Sequence, residues 1–146
     1  PSGGVCGGVI LTAAEGALQI VASAEPPIAS VYHAANKYTA EDAARVDSLN
    51  VGWDIKVAGA CHLKDAIVAR SGAAALKNMV LFTSLAGLHG NKGQAVYVAA
   101  NAAMQQLALK WRAHEGMGVA LRHSERYSRM VQLEVILENR ISIISL

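Results

Sequence analysis

The run NMVLFTS, residues 78–84, sets the tightest limit on what this chain can fold into. Met79, Val80, Leu81 and Phe82 follow one another without polar alternation, so a strand here is covered on both faces. That pattern belongs to parallel sheets packed between helices, because a strand with one wetted face alternates apolar with polar residues. A second apolar run, IASVYH, ends near His33 and reads as another buried strand. Gly116 and Gly118 precede Val119-Ala120-Leu121, the start of a third.

Helical patterns separate these strands. AAEGALQIVASA reads as a short helix stopped by Glu25-Pro26-Pro27, since proline lacks the N–H that continues a helix. Thr39 can cap the next helix, with Glu41 and Asp42 in its first turn. From Ala40 to Arg70, steps of three and four place Leu49, Trp53, Lys56, Ala60, Leu63 and Ile67 on one face. Lys56 is therefore expected inside an apolar stripe. LAGLHGNKGQ reads as a glycine-rich loop and AVYVAANAAMQQLALKWRAHE as a helix whose alanines admit a close neighbour. Strand, helix, strand, helix, strand predicts an α/β fold: a partial Rossmann-type parallel sheet flanked by helices.

Composition removes several function classes. The net charge is +2 with no basic cluster, and aromatic residues make up only 5%, which argues against a nucleic-acid partner. The longest uncharged stretch, 93–109, has 17 residues and four amides, too short and polar for a membrane span. Cys6 and Cys61 form no paired metal spacing, and His33, His62, His89, His114 and His123 form none either, so no metal site is expected and the histidines read as structural or solvent-facing. Two distant thiols favour a soluble protein of a reducing compartment, cytoplasm or organelle interior. From Arg122 to Leu146 alanine and glycine vanish, which divides the chain into a body, 1–121, and a divergent tail, 122–146. VQLEVILENRISIISL in that tail suits a strand pair or a helix equally.

Reduction of a ketone requires a donor that holds the developing oxyanion and an acid that protonates it. A tyrosine serves as the acid when a nearby ammonium lowers its pKa from about 10. Ser84 ends a buried strand, where ligands of open α/β sheets bind. Tyr97 starts the following helix, Asn101 lies one turn later on the same face, and Lys56 projects from the preceding helix.

The segment SLAGLHGNKGQAVYVAAN, 84–101, together with DIKVAGACHL upstream, resembles the ketoreductase domains of polyketide and fatty-acid synthases, members of the short-chain dehydrogenase/reductase superfamily. In most of that superfamily the lysine follows the tyrosine and an asparagine sits on the earlier helix. Synthase ketoreductases interchange the two, as this chain does. The resemblance implies that Tyr97 donates the proton, Ser84 holds the substrate oxygen, Lys56 lowers the tyrosine pKa and touches the nicotinamide ribose, and Asn101 supports the relay. It further implies NADPH as cofactor, with Ala34, Ala35 and Asn36 in the turn beside the nicotinamide, and a β-ketoacyl thioester, carried by an acyl carrier protein, as substrate.

The resemblance spans residues 10–121 and has marked departures. Asn36 replaces a family glycine. SGGVCGGV has Cys6 and Val9 where a dinucleotide-binding Gly-x-Gly-x-x-Gly turn needs glycine, so the N-terminal β-α-β unit is expected to be missing. RHSERYSRM does not continue the family pattern, no Leu-Asp-Asp follows HAAN, and His89 stands where one stereochemical class has tryptophan. Two readings stay open: a reductase completed by further sequence or a second chain, or a ketoreductase-derived subunit without catalysis. Both leave a sheet edge that another chain is expected to cover.

Overall fold

A computed structural model of the protein describes residues 13–35, 52–124, 133–137 and 140–144. Helix α1, Ala14–Ser23, leads into strand β1, Ser30–His33. A π-helical turn, Asp54–Ala58, runs directly into α2, Gly59–Ser71. Strand β2, Asn78–Ser84, is followed by the short α3, Ala86–His89, the long α4, Ala95–Glu115, and strand β3, Val119–Ser124. The sheet has the order β1-β2-β3 and both pairings are parallel, with Ser30 beside Asn78 and Met79 beside Val119.

The continuous apolar run forms the central strand, but only one of its two faces is fully covered, not both as the run suggests. Met79, Leu81 and Thr83 are fully buried, while Val80 and Phe82 on the other face are half-buried. One face therefore lies under helices and carries the core. Val31, Met79, Leu81 and Val119 of the sheet meet Ala60, Leu63 and Ile67 of α2 and Ala100, Met104, Ala108 and Trp111 of α4. Each large apolar side chain buried here contributes ~1.5–3 kcal/mol. The alanines of α4 keep it close to the sheet, and the αL residue Gly116, φ 62°, closes its C-terminus. Gly118 comes next, with its carbonyl accepting from Met79 N–H at 2.8 Å. It packs directly on the carbonyl of Lys77, where no Cβ fits.

Polar contacts pin the helices to one another. The Arg70 guanidinium donates to the carbonyls of Val21 and Ala24 at the end of α1 and to Glu25 Oε1 at 2.8 Å. Lys64 pairs with Glu115 at 2.9 Å and lies 5.4 Å from the centre of the Trp111 ring, joining α2 to α4.

Two further sequence expectations change, and one open alternative is decided. Ala60, Leu63 and Ile67 face the core as the periodicity requires, but Trp53 is 42% exposed. The π turn explains this: its i→i+5 bonding adds residues to the turn and rotates Trp53 off the stripe of α2, at ~100° per added residue. The glycine-rich loop contains a helical turn, α3. The tail is a strand pair, β4, Leu133–Leu137, antiparallel to β5, Arg140–Ile144, and β4 lies against β1. Asn36, Thr39, Glu41, Asp42, Leu49, Cys6 and Val9 fall outside the described residues.

Candidate functional site

The site gathers at the carboxyl ends of β1 and β2, the position parallel sheets reserve for ligands. His33 closes β1 and Ser84 closes β2. Ala34 and Ala35 continue from β1, buried and with nothing beyond Cβ to obstruct a neighbour.

Lys56 sits in the π turn with 1% of its surface exposed, inside the stripe where the periodicity put it. Its ammonium donates to the Phe82 carbonyl at 2.8 Å, two residues before Ser84. A buried charge loses its hydration, so burial pulls the Lys56 pKa down from 10.5 to about 8. The amine is thus still mostly protonated at neutral pH, yet close to titrating.

Ser84 Oγ accepts the Ala86 N–H at 3.2 Å, which starts α3 and leaves the hydroxyl proton free to be donated elsewhere. The short helix then leans on α4. A Cβ added to Gly87 would lie 3.0 Å from Asn101 Cβ, Ala102 N and Gln105 Nε2, so glycine is what permits the contact. On α4, Asn101 Nδ2 donates to the Tyr97 carbonyl at 2.7 Å, while its Oδ1 is buried without a hydrogen-bond partner. The Tyr97 hydroxyl is shielded from solvent on a half-buried ring.

Of the residues singled out in the sequence, Lys56 and Ser84 thus converge on the end of β2, and Tyr97 and Asn101 share the start of α4, which α3 ties to Ser84. His33 is a residue the sequence left among bystanders. It is fully buried, and its Nε2 lies 2.8 Å from the Lys56 carbonyl. Burial lowers its pKa to about 4, the bond to that carbonyl opposes the shift, and the Lys56 charge adds to it. The one sequence signal for His33 was its place at the carboxyl end of β1. Among the described residues no group of three His, Cys, Asp or Glu could hold a metal ion. An apolar groove of about 440 Å³ opens between α1 and α2, lined by Leu18, Val21, Ala22, Ala66, Ala69 and Arg70, none of which belongs to the site.

A parallel sheet flanked by helices, with serine, lysine and a Tyr-x-x-x-Asn helix assembled at its carboxyl ends, defines a partial short-chain dehydrogenase/reductase fold. A short-chain dehydrogenase/reductase from Brucella melitensis superposes with a TM-score of 0.67 at 22% identity, over 76% of this chain and 48% of that one. Residues 11–124 match the family model of the KR domain, and the chain belongs to that family. The polyketide synthase GfsA of Streptomyces halstedii is 43% identical over 93 residues, 62% of this chain and 1% of that protein. The first ketoreductase of the tylosin polyketide synthase superposes with a TM-score of 0.66 at 30% identity, covering 77% of this chain and 24% of that one. The chain thus spans a small part of the relatives it matches.

Proposed function

We propose that the chain contributes the catalytic half of a ketoreductase that reduces a β-ketoacyl thioester to a β-hydroxyacyl group with NADPH, once further sequence or a second chain completes the nucleotide site. The observation that carries this reading is the Lys56 ammonium, held almost without solvent on the Phe82 carbonyl, two residues before Ser84. A lone buried charge costs stability and calls for a reason.

The residues at hand fit one end of the cofactor. Lys56 and Tyr97 would hold the nicotinamide ribose, and the small Ala34 and Ala35 would leave room for the ring beside them. They do not fit the other end: the described residues contain no strand before β1 and so no turn to seat the pyrophosphate. NADPH, when bound, supplies the hydride for the carbonyl carbon. Ser84 donates its hydroxyl proton as a hydrogen bond to the carbonyl oxygen and so fixes its direction. Tyr97 transfers its proton to that oxygen as charge builds there. Asn101 orders the start of α4 through the Tyr97 carbonyl and offers its unpartnered Oδ1 to the proton path.

The test is NADPH binding to the intact protein, by fluorescence or calorimetry, followed by ketone reduction. Binding should weaken in Lys56→Ala, and Tyr97→Phe should cut turnover by ~10²–10⁴, the usual worth of a positioned acid. Absence of binding at millimolar NADPH refutes the reductase and favours a second reading, a non-catalytic ketoreductase-derived subunit. For that reading speaks the tail hairpin lying against β1, where a complete fold would continue its sheet. In either reading a partner chain covers the sheet edge that the hairpin leaves open; in the first, an acyl carrier protein presents the thioester.

A further inference from the structure

Lys56 can serve its proposed role only if its ammonium stays where burial disfavours it. Two contacts bear on that. At the side-chain end Nζ donates to the Phe82 carbonyl, and at the main-chain end the Lys56 carbonyl meets His33 Nε2 at 2.8 Å. A carbonyl only accepts, so Nε2 carries the proton and Nδ1 is bare; Nδ1 is buried and has no hydrogen-bond partner. The ring thus spends its one donor on a single backbone atom 23 residues away. That atom belongs to the π turn, Asp54–Ala58, whose widened ladder departs from the i→i+4 bonding of the adjoining α2. Without an outside donor the turn has an α-helical alternative, in which Lys56 is carried around the helix axis away from Phe82.

We propose that His33 is a positioning residue that acts through Lys56: its Nε2–H clamps the carbonyl of the π turn and thereby aims the Lys56 ammonium at the end of β2. The proposal rests on the reading of Lys56 as the cation of the site, but its geometry can be tested with no substrate or cofactor present. The His33 ring is uncharged at and above neutral pH, since burial holds its pKa at about 4. Replacing it therefore changes no charge near Lys56 at the pH where the lysine titrates, and any change in that titration reports on position.

The experiment follows the ¹³Cε resonance of Lys56 through a pH titration of the full chain, with thermal unfolding as a check on folding. In the wild type the midpoint should lie at about 8. His33→Leu, which fills the space without a donor, should raise it by about one unit or more as the ammonium regains water. His33→Gln, whose amide reaches as far as Nε2, should restore the wild-type midpoint. Should the leucine variant not fold, His33→Asn, whose amide falls short of the carbonyl, carries the same expectation. A wild-type midpoint in folded His33→Leu or His33→Asn overturns the proposal, and so does a glutamine variant that shifts as leucine does. Loss of NADPH binding or of turnover in the wild type would instead sink the reductase reading, and this titration would stand apart from it.

Discussion

Replacing Lys56 by methionine should make the protein more stable at neutral pH and less so in alkali. The side chains have similar length, and methionine fills the same buried slot without a charge. The fall of the Lys56 pKa from 10.5 to about 8 means that the folded state holds this proton less tightly than the unfolded state. At ~1.4 kcal/mol per pKa unit, the charged lysine costs ~3 kcal/mol wherever both states are protonated, that is below pH 8. As pH rises from about 8 to 10.5 the folded protein gives up its proton first, stability rises, and the cost is gone above that window. Methionine forfeits the bond to the Phe82 carbonyl, worth ~1 kcal/mol net. The variant should therefore gain ~2 kcal/mol at pH 7, about 6–8 °C in Tm for a domain of this size. By pH 10.5 it should fall ~1 kcal/mol below the wild type. Urea and thermal unfolding followed by circular dichroism, at pH 7 and above pH 10, read both quantities. A methionine variant no more stable than wild type at pH 7, or a difference that does not change with pH, refutes the assignment of a buried, desolvated ammonium.

Acid should act through His33 in the opposite range. Its folded pKa of about 4 lies below the ordinary 6.5, so the unfolded chain takes up the proton first as pH falls from 6.5 to 4, removing ~3 kcal/mol; His33→Gln should lack this component in urea titrations at pH 7 and pH 4. Gly118→Ala drives a Cβ into the Lys77 carbonyl, and because backbone on both sides must give, a loss of ~1–3 kcal/mol in the urea midpoint is expected. Leu63→Ala opens a hole where α2 meets the sheet, 1% exposed, and should cost 2–5 kcal/mol by the same measurement, order-of-magnitude ~3 kcal/mol.

Much of this architecture could be read from the sequence because one face of each element is dictated by burial. An unbroken run such as NMVLFTS has few alternatives, and the limits of α4 follow from a helix pattern ended by Gly116. Lys56, Ser84, Tyr97 and Asn101 were visible as polar residues at strand ends and on one helix face. What could not be read depends on backbone detail that no periodicity encodes. The π turn inserts a phase shift, so Trp53, assigned to the core stripe by counting, is left partly exposed to water. His33 looked like any other histidine until the fold brought a carbonyl from 23 residues away to its ring. The tail gave equal support to helix and strand, because residues 133–144 have neither a helical stripe nor a glycine-marked turn, and only pairing with each other selects the hairpin.

The parallel order of the sheet also sets a schedule for the growing chain. Ser30 of β1 pairs with Asn78, 48 residues later, and no hairpin can form in the meantime. At ~5–20 residues per second, a ribosome takes roughly 2–10 s to deliver that partner. Throughout this interval the strand Ser-Val-Tyr-His offers its backbone to any passing edge, while the intervening helix can form only locally. The nascent protein is therefore at its most vulnerable before β2 emerges, and whatever shields β1 during those seconds governs how much of it reaches the folded state.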